Sequence, residues 1–196
     1  MGILGYSWVF LGMMDNMCII DNCHWDYQQL LCYKKAVVIY DLTFYFCSRF
    51  LDPRDRTYDQ MIQAARSGKQ NISEGYTDAE TSYEMALKLY NVARGSHKEL
   101  LEDYRDYLRT RGFSEWAVDS NENMTMRRIG IEHTDSQYFI EIASSRSDSV
   151  IANMAIVLLH QQDRLLRNFI QSEVQRFSRE GGFRERLSTI RKSYRR

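Results

Sequence analysis

Residues 81–110 read TSYEMALKLYNVARGSHKELLEDYRDYLRT, and apolar or aromatic side chains recur in this stretch at alternating steps of three and four. The members of this stripe are Tyr83, Ala86, Tyr90, Ala93, His97, Leu100, Tyr104 and Tyr107. A 3-4 alternation keeps all of these side chains on one side of an α-helix. The stretch therefore predicts a long amphipathic helix, capped by Thr81 or Ser82 and ended at Gly112, that needs apolar neighbours.

Two other long stretches carry the same repeat. Around residues 26–51 its members are Leu30, Tyr33, Val37, Tyr40, Phe44, Cys47 and Leu51. Near the end of the chain they are Ile151, Ala155, Leu158, Gln162, Leu165 and Phe169. These stretches predict a first helix from about Tyr27 to Leu51 and a fourth helix from about Asp148 to Phe177.

A second helix is predicted between these two, with a stripe formed by Tyr58, Met61, Ala65, Gly68 and Ile72. Asp52 fits its N-cap and Pro53 its first position, because proline lacks the amide hydrogen that a helix start leaves unpaired. Glu74-Gly75 provides a stop after about Ser73. The small residues around Gly68 would let a neighbouring helix approach closely.

Residues 113–145 interrupt the helical repeat and are polar, which predicts a long connection with one or two short helices. Helix breakers are scarce, since Pro53 is the only proline and the chain has 10 glycines. Long helices joined by short turns pack chiefly as antiparallel bundles. The predicted fold is all-α, an antiparallel up-down-up-down four-helix bundle at residues 26–178 with extra short helices between helices 3 and 4. Residues 1–25 are then an N-terminal extension outside the fold, and residues 179–196 a basic C-terminal arm.

The chain has a formal net charge of zero, but its charges are unevenly distributed. Residues 160–196 contain ten Lys or Arg and only four Asp or Glu. Such an end can be a solvated tail, or it can contact phosphate groups or an acidic partner. The candidate contact residues are Arg176, Arg179, Arg184, Arg186, Arg191, Lys192, Arg195 and Arg196.

All four cysteines, Cys18, Cys23, Cys32 and Cys47, lie in the first quarter of the chain, and none forms a C-x-x-C pair. The pattern fits neither a disulfide framework nor a zinc site, so we expect reduced thiols, no metal and a cytoplasmic protein. A metal site built from Cys23, His24 and Cys32 is the weaker alternative. Residues 3–14 are apolar but follow no Lys or Arg and are too short to span a membrane, which favours an extension without a targeting role.

Patterns that carry catalysis do not occur in the sequence. A di-metal carboxylate centre in a helix bundle requires Glu-x-x-His on two helices, and the chain contains no such tetrapeptide. It also lacks GxSxG, GxGxxG, HExxH and a phosphate-binding loop. His97 lies in an apolar stripe, which is typical of a core or interface imidazole. We therefore expect no catalytic residues and no cofactor.

Polar residues lie where the second and third predicted helices should face each other. They are Gln60, Asn71, Glu74, Ser96 and Glu99. Buried polar groups must be hydrogen-bonded, so a structural network that fixes the pairing of the two helices is the main interpretation. A ligand site is the alternative. The first helix carries a second apolar line, Leu31, Val38 and Tyr45, which exceeds the need of one bundle contact and indicates subunit association.

Three segments resemble a known family, the four-helix bundle proteins that include the protein encoded in 23S rRNA intervening sequences. Residues 60–75, QMIQAARSGKQNISEG, are similar to its segment Q-x-x-x-A-A-x-S-x-x-x-N-I-A-E-G, with Ser73 in place of an alanine. Residues 36–42 match its phrase A-V-x-x-Y-D-L, and residues 93–100 match A-x-x-S-x-x-E-L. Residues 152–159 and 180–187 resemble the subgroup with a four-helix bundle suffix. The resemblance spans residues 27–195.

This resemblance implies an up-down-up-down bundle that assembles into a ring-like homopentamer. A related family, the accessory variability determinants of diversity-generating retroelements, forms such pentamers and binds a reverse transcriptase and nucleic acid. The four-helix bundle family has no established enzymatic activity. The implied role is therefore a non-enzymatic assembly linked to RNA or a ribonucleoprotein.

We accordingly expect a homo-oligomeric scaffold or adaptor whose partners are its own copies and RNA or a nucleic-acid-processing protein, with no membrane. The neutral net charge counts against strong nonspecific binding of nucleic acid, which relies on many contacts from Lys and Arg to phosphates. Two alternatives remain open. One is a small-ligand binder or enzyme that uses Asn71, Glu74 and Glu99, and the other is a purely structural protein–protein interaction module.

Overall fold

A computed structural model describes residues 26–79, 81–180 and 192. Within these ranges the chain is all-α, with a short 3-10 turn at Tyr27–Gln29 and no β-strand. The six helices are α1 (Leu31–Phe50), α2 (Arg56–Asp78), α3 (Tyr83–Thr110), α4 (Asn121–Glu132), α5 (Ser136–Ser144) and α6 (Asp148–Glu180). Two short helices, α4 and α5, thus occupy the connection where one or two were predicted. None of the helices within the described ranges is both long and apolar enough to cross a membrane.

The four long helices pack in cyclic order, so that α1 contacts α2, α2 contacts α3, α3 contacts α6 and α6 contacts α1. Helices α2 and α3 run in opposite directions, since Ser67 contacts Ser96 while Gly75 lies beside Tyr90. The two short helices lie outside this arrangement. Helix α4 packs against α6, and α5 packs against α1.

The core consists of two apolar clusters. The larger one includes Phe46, Tyr104, Phe139 and Ile151, and the smaller one consists of Cys32, Ala36, Ile72, Ala93 and Leu166. Residues 151–159 of α6 are all buried. This burial on every side arises because α4 and residues 114–116 cover the side of α6 that faces away from the other long helices.

The predicted stripes of α2, α3 and α6 face the core. On α3 every member from Ala86 to Tyr107 is buried, and Tyr83 is half-buried. On α2, Met61, Ala65, Gly68 and Ile72 are buried. On α6 the first four members are buried, including the polar Gln162. For α2 and α3 the 3-4 repeat identified the buried side correctly. On α6 it distinguishes no side within residues 151–159, and farther along Leu166 is buried whereas Leu165 and Phe169 of the stripe are half-buried.

The predicted stripe of α1 was wrong about which side is buried. Of its seven members only Cys47 and Leu51 are buried, and Phe44 is 50% exposed. The residues that face the core are Cys32, Lys35, Ala36, Val38, Ile39, Leu42, Thr43, Phe46 and Cys47. Apolar residues cover most of this helix, so two stripes fit the repeat, and the buried one contains a lysine and a threonine that hydropathy alone assigns to the surface.

Both predicted ends of α2 were also wrong. Asp52 and Pro53 form a turn, in which the carbonyl of Asp52 accepts from the amide of Asp55 at 2.8 Å. The N-cap is Asp55, whose carboxylate accepts from the amide of Thr57 at 2.9 Å. Proline favours the second position of such a turn, and the aspartate after it has the same capping chemistry as Asp52, so α2 begins three residues later.

Helix α2 also continues past its predicted stop. Gly75 remains helical, and its carbonyl accepts a hydrogen bond from Ala79. A Cβ atom at Gly75 would lie 2.6 Å from the ring of Tyr90, so this glycine permits close packing rather than a left-handed cap. The predicted ends of α3 are confirmed. Ser82 is its N-cap, and Gly112 follows it with a φ of 73° that favours glycine.

Two predicted segments fall mainly outside the described residues. The N-terminal extension at 1–25 lies outside them, as do all residues of the C-terminal arm except Arg179, Glu180 and Lys192. Helix α6 extends to Glu180, so the predicted boundary after residue 178 lies within a helix.

Candidate functional site

The predicted polar network between α2 and α3 has a partly buried centre that includes two of its five residues. The hydroxyls of Ser67 and Ser96 are 3.0 Å apart. The side-chain amide of Asn71 donates to the carbonyl of Ser67 at 2.8 Å and to its hydroxyl at 3.1 Å. Ser67, which was not among the candidates, therefore links Asn71 to Ser96 and joins α2 to α3.

The other three candidates do not belong to this centre. Gln60, Glu74 and Glu99 are exposed, whereas Asn71 is half-buried and Ser96 is buried. The structure thus does not bring the five side chains together around one point. The idea of a ligand site formed by Asn71, Glu74 and Glu99 is weakened, because the two carboxylates are solvated rather than directed at a common position.

A second polar centre surrounds Lys35, whose side chain is only 1% exposed. Its ammonium donates to the carbonyl of Gly130 in the last turn of α4 and lies 3.4 Å from Oε1 of Gln161 in α6. The Gln161 amide donates in turn to the carbonyl of Arg127 at 2.7 Å. A positive charge at the C-terminal end of a helix is favoured by the helix dipole and by its unpaired carbonyls. The contacts of Lys35 therefore link α1 to α4 and α6.

Burial lowers the pKa of Lys35 from 10.5 to about 8. The cause is desolvation, since both hydrogen-bond partners are neutral and the ring of Phe139 lies 5.9 Å from the ammonium. A lysine with a lowered pKa is a recognised feature of catalytic sites. Here the group is enclosed by three helices, and its contacts are those of a structural link.

Three further buried polar side chains link separate elements. Thr43 of α1 accepts from the hydroxyl of Tyr104 on α3 at 3.0 Å. Asn153 of α6 accepts from the amide of Trp116 at 2.7 Å and donates to the carbonyl of Ser114 at 3.1 Å, which holds the segment after α3. Gln162 of α6 donates to the carbonyl of Cys32 at 2.8 Å. Each of these groups fixes one packing contact rather than contributing to a shared reactive centre.

His97 differs from these groups because neither of its ring nitrogens has a hydrogen-bond partner in the described part of the chain. The ring packs directly on Gly68 of α2, where a side chain would overlap it. Desolvation lowers the pKa of His97 to about 4, so the imidazole is neutral at physiological pH. The interpretation of His97 as a buried core imidazole agrees with this environment.

The buried thiols are poorly suited to chemistry. Burial raises the pKa of Cys32 and of Cys47 to about 12, which keeps both protonated at neutral pH. Only the thiolate is a strong nucleophile or metal ligand. Among the residues described, no three His, Cys, Asp or Glu side chains are placed so that they could hold a metal ion. Cys23 and His24 of the alternative metal site lie outside the described residues.

Only part of the predicted basic contact surface can be placed. Arg176 lies on α6 and donates to the carboxylate of Glu173 at 2.6 Å. Arg179, one turn later, is exposed, and so is Lys192. The remaining candidates, Arg184, Arg186, Arg191, Arg195 and Arg196, lie outside the described residues.

Sequence reasoning missed Lys35, Thr43, Ser67 and Asn153. A signal for Lys35 existed, because it continues the 4-3-4 spacing of Ile39, Leu42 and Phe46. A lysine within an otherwise apolar stripe of this kind indicates either an error in the chosen side or a buried ammonium with local partners. Asn153 gave a comparable signal as the one polar residue of the apolar run 150–159, but its partners at Ser114 and Trp116 are distant in the sequence.

No protein-family model matches this chain, and neither a curated protein nor a solved structure resembles it significantly. The likeness to the four-helix bundle family therefore rests on the motifs at residues 36–42, 60–75 and 93–100, and that to its suffix subgroup on residues 152–159 and 180–187. What that likeness implies for assembly and partners remains a proposal.

Proposed function

We propose that this chain is a non-enzymatic scaffold or adaptor that assembles with copies of itself into a pentamer. Its four long helices form an antiparallel up-down-up-down bundle in this proposal. The cyclic order of helix contacts and the opposite directions of α2 and α3 support that topology. The family motifs at residues 36–42, 60–75 and 93–100 support the pentamer.

The observation that carries the self-association is the outward position of the predicted α1 stripe. Tyr33, Val37 and Tyr40 are half-buried and Phe44 is 50% exposed. Tyr33 and Tyr40 touch the core clusters from the edge of α1, and the rest of the stripe lies outside its core face. Contiguous apolar surface of this kind on a folded chain marks an interaction site. A second copy that covers this stripe would bury it.

The hydrogen bonds of four buried polar side chains support a role without catalysis. Lys35, Thr43, Ser96 and Asn153 each form hydrogen bonds that connect neighbouring elements. An enzyme or ligand binder would need polar groups that converge on one accessible position. The Asn71, Glu74 and Glu99 alternative lacks that convergence, because the two glutamates are exposed.

The nucleic-acid part of the proposal rests on the basic end of the chain. Arg179 and Lys192 are exposed, and five further arginines follow α6 in the sequence. Titration with a structured RNA at rising salt concentrations tests this part. We expect affinity that falls as salt rises, and a lower affinity when Arg184, Arg186 and Arg191 are replaced by glutamine. No binding at low ionic strength would remove RNA from the proposal and leave a protein–protein interaction module.

Native mass spectrometry of the chain purified from its own host tests the scaffold itself. We expect a homopentamer, with co-purifying RNA or protein identified in the same preparation. A monomer at micromolar concentration would contradict the proposal. A homo-oligomer with a different number of subunits would retain self-association and exclude the pentamer.

A further inference from the structure

The outer face of α1 is defined by Tyr33, Val37, Tyr40 and Phe44, which follow one another at steps of four, three and four. It lies along the seam with α2, because the ammonium of Lys69 is 4.2 Å from the centre of the Tyr40 ring. Arg66, three residues before Lys69 on α2, is exposed. The outer face of α1 is therefore an aromatic stripe with two basic residues at its edge.

Helix α3 carries a second stripe besides the one that faces the core. This outer face of α3 consists of Met85, Leu89, Val92, Glu99 and Asp103, and the buried Ser96 continues the alternating steps of four and three between its two halves. The contact between Ser96 and Ser67 places it along the seam with α2. Met85 is 46% exposed and Val92 is 50% exposed. The first half of this face is apolar and the second half is acidic.

The acidic half is electrostatically uncompensated. Burial raises the pKa of Asp103, and the carboxylates of Asp106 and Glu99 raise it further. Neither Glu99 nor Asp103 forms an ion pair with any other residue that the structure describes. A partner that brings positive charge to this position would relieve the repulsion between these carboxylates.

We propose that the outer face of α1 in one copy docks onto the outer face of α3 in the next copy. This inference rests on the proposed self-association and names its interface. Tyr33 and Tyr40 would pack against Met85 and Val92, because both pairs are seven residues apart and two 3-4 stripes interdigitate at a shallow crossing angle. Opposite charges fix the register, with Arg66 and Lys69 facing the acidic half of α3.

The positions of the two faces favour a closed ring. One face follows the α1–α2 seam and the other follows the α2–α3 seam, so the faces lie on adjacent sides of the molecule and share α2. A contact between two different faces is head-to-tail, and such contacts close into a ring when the rotation from copy to copy permits it. A twofold dimer would instead pair each face with itself.

Three matched glutamate substitutions at exposed apolar positions test the interface by light scattering after size exclusion. Phe44→Glu changes the outer face of α1, and Val92→Glu changes the outer face of α3. Ile131→Glu is the control, because Ile131 is 64% exposed on α4 and lies on neither face. We expect the first two variants to be folded monomers by circular dichroism and the control to keep the wild-type mass.

Mixing the two defective variants tests the head-to-tail arrangement. Each mixed pair has one intact outer face of α1 and one intact outer face of α3, so we expect a 1:1 dimer that cannot grow. The charge contact is tested by Arg66→Glu and Glu99→Lys, each of which should weaken assembly at least tenfold, whereas the double variant should recover most of it.

The outcomes separate the two proposals. A wild-type chain that is monomeric at micromolar concentration would overturn the proposed scaffold and this interface with it. A wild-type oligomer that persists in both Phe44→Glu and Val92→Glu would leave the scaffold intact and overturn the interface. Monomeric variants that give no dimer on mixing would overturn the head-to-tail arrangement.

Discussion

The two sides of α1 show how the buried side of a helix is chosen. The outer side presents Tyr33, Val37, Tyr40 and Phe44, whereas the inner side contains a lysine and a threonine among its apolar residues. The outer side is therefore favoured in a prediction from sequence, because it contains no lysine or threonine. The inner side is nevertheless buried, because its polar atoms reach partners on α3, α4 and α6. A helix buries the side whose polar groups can be satisfied, and its remaining apolar side is available for another subunit.

The largest expected effect is the difference in stability loss between alanine substitutions of two phenylalanines of α1. Phe46 is fully buried, with ring centres 5.1 Å from Tyr104 and 4.8 Å from Tyr107, so Phe46→Ala should lower the free energy of unfolding by about 3–5 kcal/mol. Phe44→Ala should change it by less than about 0.5 kcal/mol. Urea denaturation in a Val92→Glu background measures both without a contribution from assembly. Equal losses would contradict the assignment of the two sides.

The pH dependence of stability tests whether Lys35 belongs to the buried inner side of α1. Its folded pKa of about 8 lies below its ordinary value of 10.5, so the unfolded chain binds more protons between these values. The stability contributed at Lys35 should rise across that window by about 3 kcal/mol. Tyrosines titrate in the same range. The contribution of Lys35 is therefore taken as the difference in unfolding free energy between wild type and Lys35→Met. If the difference in unfolding free energy between the two proteins did not change with pH, the ammonium of Lys35 would be solvated and would not belong to the buried side of α1.

The pH dependence of stability also tests the burial of His97, whose ring nitrogens have no hydrogen-bond partner in the described part of the chain. Its folded pKa of about 4 lies below the ordinary 6.5, so the unfolded chain binds more protons as the pH falls through this range. Wild type should therefore lose about 3 kcal/mol between pH 6.5 and pH 4 relative to His97→Leu. Thermal melts of both proteins across this range give the difference. Parallel curves would mean that His97 takes up a proton in the folded chain as readily as in the unfolded chain.

The smallest expected effect concerns the hydrogen bond between Thr43 and Tyr104. Thr43→Val leaves the buried Tyr104 hydroxyl without its 3.0 Å partner and should cost about 1–3 kcal/mol. Tyr104→Phe removes the donor, and the double variant should cost less than the sum of the two single variants. Additive losses in this double-mutant cycle would show that the bond does not help to select the inner side of α1.

Much of the fold could be predicted from local sequence patterns. The stripes of α2 and α3 separate apolar from polar residues well enough for the 3-4 repeat to identify one side. Ser82 and Gly112 also act locally, through a side-chain cap and a positive φ. Such signals depend on a few neighbouring residues and need no knowledge of packing partners.

Features that depend on distant partners could not be predicted. From the sequence alone Gly75 is interpreted as a helix stop. The structure shows instead that it leaves room for the ring of Tyr90. From the sequence alone Lys35 is interpreted as a surface residue. Only the structure shows that its ammonium donates to the carbonyl of Gly130. Within the candidate site, Asn71 and Ser96 could be placed between two helices by their spacing. Their link through Ser67, and the exposure of Glu74 and Glu99, follow only from the rotation of α2 against α3.

Hydroxyl-radical footprinting of aromatic and aliphatic side chains tests most directly whether the outer side of α1 is covered by another copy. In wild type at oligomer-forming concentration, we expect Phe44 to be labelled several-fold less than in Val92→Glu, while Ile131 is labelled equally in both. Phe46 should stay protected in each protein. Equal labelling of Phe44 in the two proteins would contradict the account, because the aromatic stripe would then be open solvent-facing surface.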